Sequence, residues 1–146
     1  AAARQQGNTK AAIEAYEHML ARYPEFSPAH RNLAIILSAS PADAKRGLEL
    51  ATKARTAFPS DPELAKAFGV MLYHQGNFPR ASTLLQESAR TRTDDAELQY
   101  YLGLTQRQLK NVTAGNKSLE RAIELGLSAK LTAEARKALA EGKASK

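Results

Sequence analysis

Residues 68–78 read Phe68-Gly69-Val70-Met71-Leu72-Tyr73-His74-Gln75-Gly76-Asn77-Phe78, and parts of this segment recur along the chain. The large apolar residue followed by glycine returns 34 residues later as Leu102-Gly103, and Leu33-Ala34 precedes it by 35 residues. The tripeptide Gln75-Gly76-Asn77 also stands at Gln6-Gly7-Asn8, 69 residues earlier. Because self-similarity at a fixed period indicates a repeat architecture, we expect one supersecondary unit to be copied along the chain.

Further positions keep this period once a single extra residue is allowed between Ala34 and Gly47, most simply in the segment 38–41. One column of small side chains consists of Ala12, Gly47, Ala81 and Gly115, and a bulkier column consists of Tyr16, Ala51, Leu85 and Leu119. Packed helices approach to about 8–10 Å only where side chains are small. We therefore predict that Gly69 and Gly103 are packing residues, since glycine is otherwise unfavourable inside a helix.

Each unit reads as two antiparallel helices with recognisable start signals. Ser27-Pro28, Ser40-Pro41 and Asp61-Pro62 each place a capping oxygen before a proline at the first helical position. Asn8, Asn77 and Asn111 are predicted to cap the second helix of a pair after a tight turn that contains glycine or lysine. The predicted helices span 9–22, 26–38, 41–57, 62–75, 78–91, 95–109 and 112–125.

The two ends of the chain differ in character. Beyond Gly126, one apolar stripe is formed by Leu127, Leu131, Ala135, Ala138 and Leu139, with Lys130, Glu134, Lys137 and Glu141 on the opposite side. This pattern predicts a helix over 128–142 that caps the array, followed by a frayed tail over 143–146. Residues 1–6 suffice for only the last turn of a partner helix, so helix 9–22 is expected to be half uncovered. Two hypotheses follow: the chain is an excerpt of a longer repeat protein, or this helix packs against another copy.

The period and its marks resemble the tetratricopeptide repeat (TPR) family over roughly residues 5–127, in particular the late part of a bacterial TPR array. The chain departs from the family pattern at a few places, which are His30, Ala65 and Gln99 early in the first helices, Thr93 for the terminal proline, Gln106 for tyrosine and Gly115 for alanine. The resemblance implies an all-α, right-handed superhelix of antiparallel helix pairs, with about three and a half repeats and a C-terminal capping helix. The expected division is a half repeat over 5–24, repeats over 27–59, 62–93 and 96–127, the capping helix over 128–142 and the tail over 143–146.

The net charge of +6 and the pI of about 9.7 raise the question of nucleic-acid binding. The excess lies at the ends, with +3 in residues 1–57, zero in 58–127 and +3 in 128–146. The local basic cluster of Arg80, Arg90 and Arg92 is followed at once by Asp94 and Asp95, and no aromatic and basic residues interleave. We therefore expect no nucleic-acid partner. Aliphatic runs are far shorter than the ~20 residues of a membrane span, so we expect a soluble chain of the cytoplasm or periplasm without membrane insertion.

The sequence contains no recognisable catalytic or metal-binding constellation. Cysteine is absent, His18, His30 and His74 fall at different helix positions, and the segment 115–118 lacks the earlier glycine and the strand of a phosphate loop. Glu14 and His18 lie one helical turn apart, where an ordinary surface pair is favoured over a metal site. We therefore expect a protein that is not an enzyme and that needs no cofactor or metal.

The family resemblance implies that the first helices of the repeats line a concave groove that binds a protein or peptide partner. Carried onto this chain, the family's binding positions are Arg31, Ile35, Glu63, Lys66, Val70, Tyr73, His74, Glu97, Tyr100, Leu104, Arg107 and Gln108. Tyr73 and Tyr100 supply large contact surfaces, and Arg31, Lys66 and Arg107 are expected to take carboxylates or backbone carbonyls. Packing between repeats is the alternative role for the tyrosines, and solvation is the alternative for the basic residues.

A second function remains open from the sequence. The chain resembles the end of bacterial arrays that serve as structural spacers or assembly domains of larger complexes, such as those for envelope or exopolysaccharide export. In that case the uncovered first helix is a candidate surface for self-association.

Overall fold

The computed structural model describes residues 2–144, with side chains described for residues 7–141. This part of the chain holds eight α-helices and no strand, as the repeat pattern predicts. The helices are α1 (Ala2–Arg22), α2 (Ser27–Leu37), α3 (Ala44–Ala57), α4 (Pro62–His74), α5 (Phe78–Ala89), α6 (Ala96–Gln108), α7 (Val112–Leu125) and α8 (Ala129–Ala144). Helices α2 and α3, α4 and α5, and α6 and α7 pack as consecutive hairpins, so the fold is an all-α solenoid.

The core runs along the array in two adjoining clusters. The larger one extends from α1 to α6, with Leu33, Leu50, Phe68 and Leu85 among its fully buried side chains. The smaller one joins α6 and α7 to α8. The apolar stripe that the sequence predicts on the last helix packs into this second cluster, and the charged residues opposite it are exposed.

Glycines and small side chains set the closest contacts between the helices of a hairpin. A Cβ added at Gly69 would lie 2.7 Å from Leu85 Cδ2, and one added at Gly103 would lie 2.8 Å from the carbonyl oxygen of Gly115. The prediction that Gly69 and Gly103 are packing residues is therefore confirmed.

The predicted caps are confirmed at three positions. The Asp61 carboxylate accepts hydrogen bonds from the backbone N–H groups of Glu63 and Leu64, and the Asn77 and Asn111 side chains cap α5 and α7. The preceding turns contain Gly76 (φ 79°) and Lys110 (φ 69°) in the left-handed region, as expected for tight connections.

Two predicted serine caps are wrong. Phe26 is the N-cap of α2, because its carbonyl oxygen already accepts from the N–H groups of Ala29 and His30, and Ser27 is the first helical residue. Ser40 precedes a 3₁₀ turn over Pro41–Asp43 and makes no capping hydrogen bond with its side chain, so α3 begins only at Ala44. The longer connection between α2 and α3 is where the sequence places the extra residue.

The prediction for the N-terminal segment is also wrong. Asn8 lies inside α1 instead of capping it, and residues 2–6 continue this helix instead of forming the end of a partner helix. In the α4–α5 hairpin the same tripeptide turns, because the Asn77 N–H donates to the Leu72 carbonyl while Gly76 takes its positive φ. Residues 7–10 are exposed and nothing lies within 4 Å of a Cβ added at Gly7, so no packing contact of these residues enforces a turn there.

The C-terminal prediction needs a smaller correction. Helix α8 begins at Ala129 and continues through Ala144, two residues into the predicted tail. Ser145 and Lys146, like Ala1, lie outside the described residues.

Candidate functional site

A groove of about 290 Å³ lies between the first helices of the three hairpins, α2, α4 and α6. Five of the twelve predicted binding residues line it, namely Ile35, Glu63, Lys66, Val70 and Glu97. Five further residues that the sequence interpretation did not include complete the lining, namely Ser38, Ala39, Ala67, Arg92 and Tyr101. The repeat register therefore brings residues from three helices, far apart in the chain, to one surface.

Ion pairs between consecutive hairpins border this groove, and we call them clasps. In the first clasp, Arg31 of α2 contacts Asp61 with Nε at 2.5 Å and Glu63 with Nη2 at 3.0 Å, both at the start of α4. In the second clasp, Lys66 of α4 contacts Asp95 at 3.0 Å and Glu97 at 3.4 Å, at the start of α6. The same register position thus links α2 to the N-terminus of α4 and α4 to the N-terminus of α6. Carboxylates are stabilised there by the positive end of the helix dipole.

The clasps favour the ionised form of the two aspartates, Asp61 and Asp95. Burial alone would raise the pKa of Asp61, but hydrogen bonds from Arg31 and from the backbone of Leu64 hold that pKa below its usual value. Burial likewise opposes the lowering of the Asp95 pKa, which the Leu98 N–H and the Lys66 ammonium together produce. Asp61 and Asp95 therefore each act at once as a helix cap and as an ion-pair partner.

Tyr100 occupies the register position of Lys66 but has a different environment. Only 6 % of its surface is exposed, and it belongs to the cluster that joins α6 and α7 to α8. Burial, with smaller contributions from Tyr73 and Glu134, raises the pKa of its hydroxyl. In the α6–α7 hairpin the clasp is thus replaced by an apolar contact with α8.

Five rings form an aromatic cluster beside the groove, contributed by Tyr73, His74, Phe78, Tyr100 and Tyr101. The ring centroids of Tyr73, His74 and Tyr101 are 5.5–5.6 Å apart, with the rings edge to face. Burial lowers the pKa of His74, and burial together with the nearby Glu97 carboxylate raises the pKa of Tyr101 to about 12. The tyrosines and the imidazole are therefore neutral near pH 7.

The remaining predicted residues lie away from the groove lining. Leu104 packs against the cluster that contains Tyr100, and Arg107 donates a hydrogen bond to the Asn116 side chain of α7 and packs over Gly115. Gln108 is exposed at the end of α6.

One sequence signal could have identified Tyr101 as a lining residue. Glu97 and Tyr101 are four residues apart on α6, as Glu63 and Ala67 are on α4, and residues at this spacing share a helix face. Starting from the two glutamates, this spacing leads directly to both Ala67 and Tyr101 in the groove.

The ionised carboxylates predict acid sensitivity of the fold. Since the folded pKa values of Asp61, Asp95 and the Arg55-paired Glu87 are depressed, their stabilising contribution is fully present above about pH 4.5 and is lost as the pH falls through those depressed values. We expect the urea midpoint to drop between pH 5 and pH 3. Asp95→Asn keeps an oxygen for the cap and loses the charge, so it should cost about 2 kcal/mol at pH 7 and clearly less at pH 3.

Glu124→Gln is the control for this measurement, because Glu124 is exposed and pairs only along its own helix. An Asp95→Asn variant that loses as much stability at pH 3 as at pH 7 would contradict the role of the charge.

Within the described side chains, no three His, Asp or Glu residues come together as a metal site. No helix of residues 2–144 has the length and apolar character to cross a lipid bilayer.

Comparison with known proteins agrees with this architecture. A model of the tetratricopeptide repeat family matches residues 2–62 and 67–143. Among solved structures, YrrB, described as a TPR protein with an unusual peptide-binding site, superposes with a TM-score of 0.71 at 22 % identity, covering 91 % of this chain and 66 % of that one. No curated protein sequence matches the chain.

Two further solved structures share the fold. MamA from Desulfovibrio magneticus RS-1 has a TM-score of 0.69 at 14 % identity, covering 84 % of this chain and 68 % of that one. A thermophilic TPR protein from Thermus thermophilus has a TM-score of 0.66 at 16 % identity, covering 92 % of this chain and 75 % of that one. At these identities the likeness concerns the fold.

Proposed function

Because the chain belongs to the tetratricopeptide repeat family, we propose that it holds a peptide or helix of a partner protein in the groove between α2, α4 and α6. Proteins with this fold are in general interaction scaffolds, and the family is typically non-enzymatic. The groove is the surface of this chain that would receive the partner.

The observation that carries the proposal is the composition of the groove. Its floor is apolar, formed by Ile35, Ala67 and Val70, and its sides carry charged residues and Tyr101. Binding sites combine such an apolar floor, which gains from desolvation, with a few polar groups that fix orientation. The clasps and the aromatic cluster hold these side chains in place before a ligand arrives, which reduces the entropic cost of binding.

A second candidate function, an assembly domain of a larger complex, is supported by a different surface. Met19 and Tyr23 near the end of α1 and Phe26 before α2 are exposed and line a cavity of about 360 Å³. Adjacent exposed apolar side chains often mark a protein contact. We propose self-association through this patch, with a second copy of the chain as the occupant.

Site-specific photocrosslinking in the native host tests both proposals in one experiment. A benzophenone amino acid is placed at Ala39 in the groove, at Tyr23 in the apolar patch, or at Lys53, which is exposed on α3 as the control position. Groove binding predicts a partner protein crosslinked at Ala39 and not at Lys53. Self-association predicts a product of twice the chain mass at Tyr23.

The two surfaces are judged separately. Identical products at Ala39 and Lys53, or none at Ala39, would contradict binding in the groove. Absence of the double-mass product at Tyr23 would contradict self-association.

A further inference from the structure

We infer that the groove selects a basic segment with aliphatic side chains, in which Arg or Lys residues contact Glu63 and Glu97. This inference rests on the proposed function and adds the chemical class of the ligand. It differs from the expectation drawn from the sequence, in which the basic residues of the wall receive carboxylates of the partner.

The cationic side chains beside the groove, those of Arg31, Lys66 and Arg92, already contact carboxylates of the protein. All three nitrogens of the Arg31 guanidinium are bound, Nε to Asp61, Nη1 to Asn32 at 2.8 Å and Nη2 to Glu63. Lys66 Nζ contacts Asp95 and Glu97, and Arg92 donates to Asp95 with Nε and Nη2 at 3.1 and 3.0 Å. The charge of each of these cations is thus already balanced by carboxylates of the protein, so an acidic peptide gains less here than it would from unpaired cations.

Two carboxylates of the groove, those of Glu63 and Glu97, remain accessible as hydrogen-bond acceptors. The side chains of Glu63 and Glu97 are 48 % and 52 % exposed, although one oxygen atom of each already contacts a cation in a clasp. An ionised carboxylate has room for about four hydrogen bonds. These two glutamates can therefore accept further N–H groups without the clasps breaking.

The positive and negative charges of the groove and its clasps nearly balance. Arg31, Lys66 and Arg92 contribute three positive charges to this wall, and Asp61, Glu63, Asp95 and Glu97 contribute four negative ones. Of these residues, Glu63, Lys66, Arg92 and Glu97 line the groove and their charges cancel, so the single excess negative charge belongs to the clasps that border it, on a chain whose net charge is +6. The groove together with its clasps is therefore complementary in charge to a basic ligand and opposite in sign to the chain as a whole.

The ring of Tyr101 lies beside Glu97 in the groove. Tyr101 lines the groove one helical turn after Glu97, close enough for that carboxylate to help raise the pKa of the tyrosine. A guanidinium or ammonium group within about 6 Å of a tyrosine ring gains a cation–π interaction. The ring and the carboxylate together favour Arg or Lys at this point, while Ile35 and Val70 favour an aliphatic neighbour.

The spacing of the two acceptors constrains the ligand. Glu63 and Glu97 occupy the same register position on α4 and α6, and packed helices are separated by about 8–10 Å. An extended chain covers this distance in about three residues. We therefore expect basic residues at positions i and i+3 of a ligand segment in the polyproline II conformation, whose three-residue period places both side chains on one face, with an aliphatic residue between them.

The experiment is a selection of displayed random dodecapeptides against the whole chain, followed by affinity measurements on synthetic representatives. Ala39→Trp fills the groove from an exposed position and identifies the peptides that bind there. Glu63→Gln/Glu97→Gln removes the two acceptor charges, and Glu49→Gln/Glu124→Gln is the matched control with two exposed glutamates paired along their own helices. Thermal unfolding of each variant checks the fold, because Glu63 and Glu97 lie in first helical turns.

The inference predicts that peptides sensitive to Ala39→Trp are enriched in Arg and Lys at i and i+3. Their affinity should fall about tenfold or more in Glu63→Gln/Glu97→Gln and stay unchanged in the control. Replacing the basic residues of one such peptide by Glu should abolish binding to the unaltered protein, a comparison that needs no variant to fold.

Groove-dependent peptides that are acidic or neutral would overturn the basic ligand class and leave groove binding intact. Basic peptides whose affinity is unaffected by Glu63→Gln/Glu97→Gln would overturn the role of the two glutamates. Failure to recover any peptide sensitive to Ala39→Trp would overturn the proposed function itself, and this inference with it.

Discussion

Replacing Gly103 with alanine is expected to lower the free energy of unfolding by about 3 kcal/mol. The added Cβ would lie 2.8 Å from the carbonyl oxygen of Gly115 and 2.8 Å from Leu119 Cγ. A side chain can rotate away from such a contact, but a backbone oxygen inside α7 cannot. Helices α6 and α7 must therefore separate, which also loosens the contact of Tyr100 with α8. Urea denaturation followed by circular dichroism measures this loss.

Gly7→Ala is the matched control, since Gly7 also lies inside a helix. Nothing lies within 4 Å of a Cβ added there, so the substitution should stabilise the protein by up to about 1 kcal/mol through helix propensity. The packing role of Gly103 is refuted if its alanine variant is as stable as the original chain.

Replacing Phe68 with alanine is expected to cost about 4 kcal/mol. The Phe68 side chain is 1 % exposed at the centre of the larger core cluster, and the Arg80 guanidinium lies 4.8 Å from its ring centroid. The substitution leaves a cavity between α4 and its neighbours, and it removes the cation–π contact. The same denaturation experiment gives the change in free energy.

Phe26→Ala provides the comparison for ring removal at the surface. Phe26 is 44 % exposed, so the loss should stay below about 1 kcal/mol. Equal losses for the two variants would contradict the central position of Phe68 in the core.

The repeat period made most of the fold predictable from the sequence, because each mark reflects a packing contact repeated in every hairpin. Gly69 and Gly103 indicated close helix contacts, and Asn77 and Asn111 indicated where second helices begin. The N-terminal segment was mispredicted because Gln-Gly-Asn has no fixed conformation of its own. At residues 75–77 it turns within a packed hairpin, and at residues 6–8 it continues α1.

For the candidate site, the sequence predicted which repeat positions share a surface but not the environment of each side chain. The register places Ile35, Glu63, Lys66, Val70 and Glu97 along one groove, but it does not specify what each side chain contacts. Lys66 and Tyr100 share one register position, yet Lys66 meets the acidic start of α6 and Tyr100 meets the apolar face of α8. These partners lie about one repeat further along the chain, where spacing alone gives no chemical information.

The deep burial of α4 affects the order in which the helices lose their structure on heating. Each unit of a repeat array is stabilised by the interfaces with its neighbours, so a helix that is packed on both sides opens less readily than one packed on a single side. Helix α4 has a hairpin or helix on each side and buries eight of its thirteen residues. We therefore expect α4 to melt late among the described helices, and a segment bound in the proposed groove would itself bear most of the loss of conformational freedom.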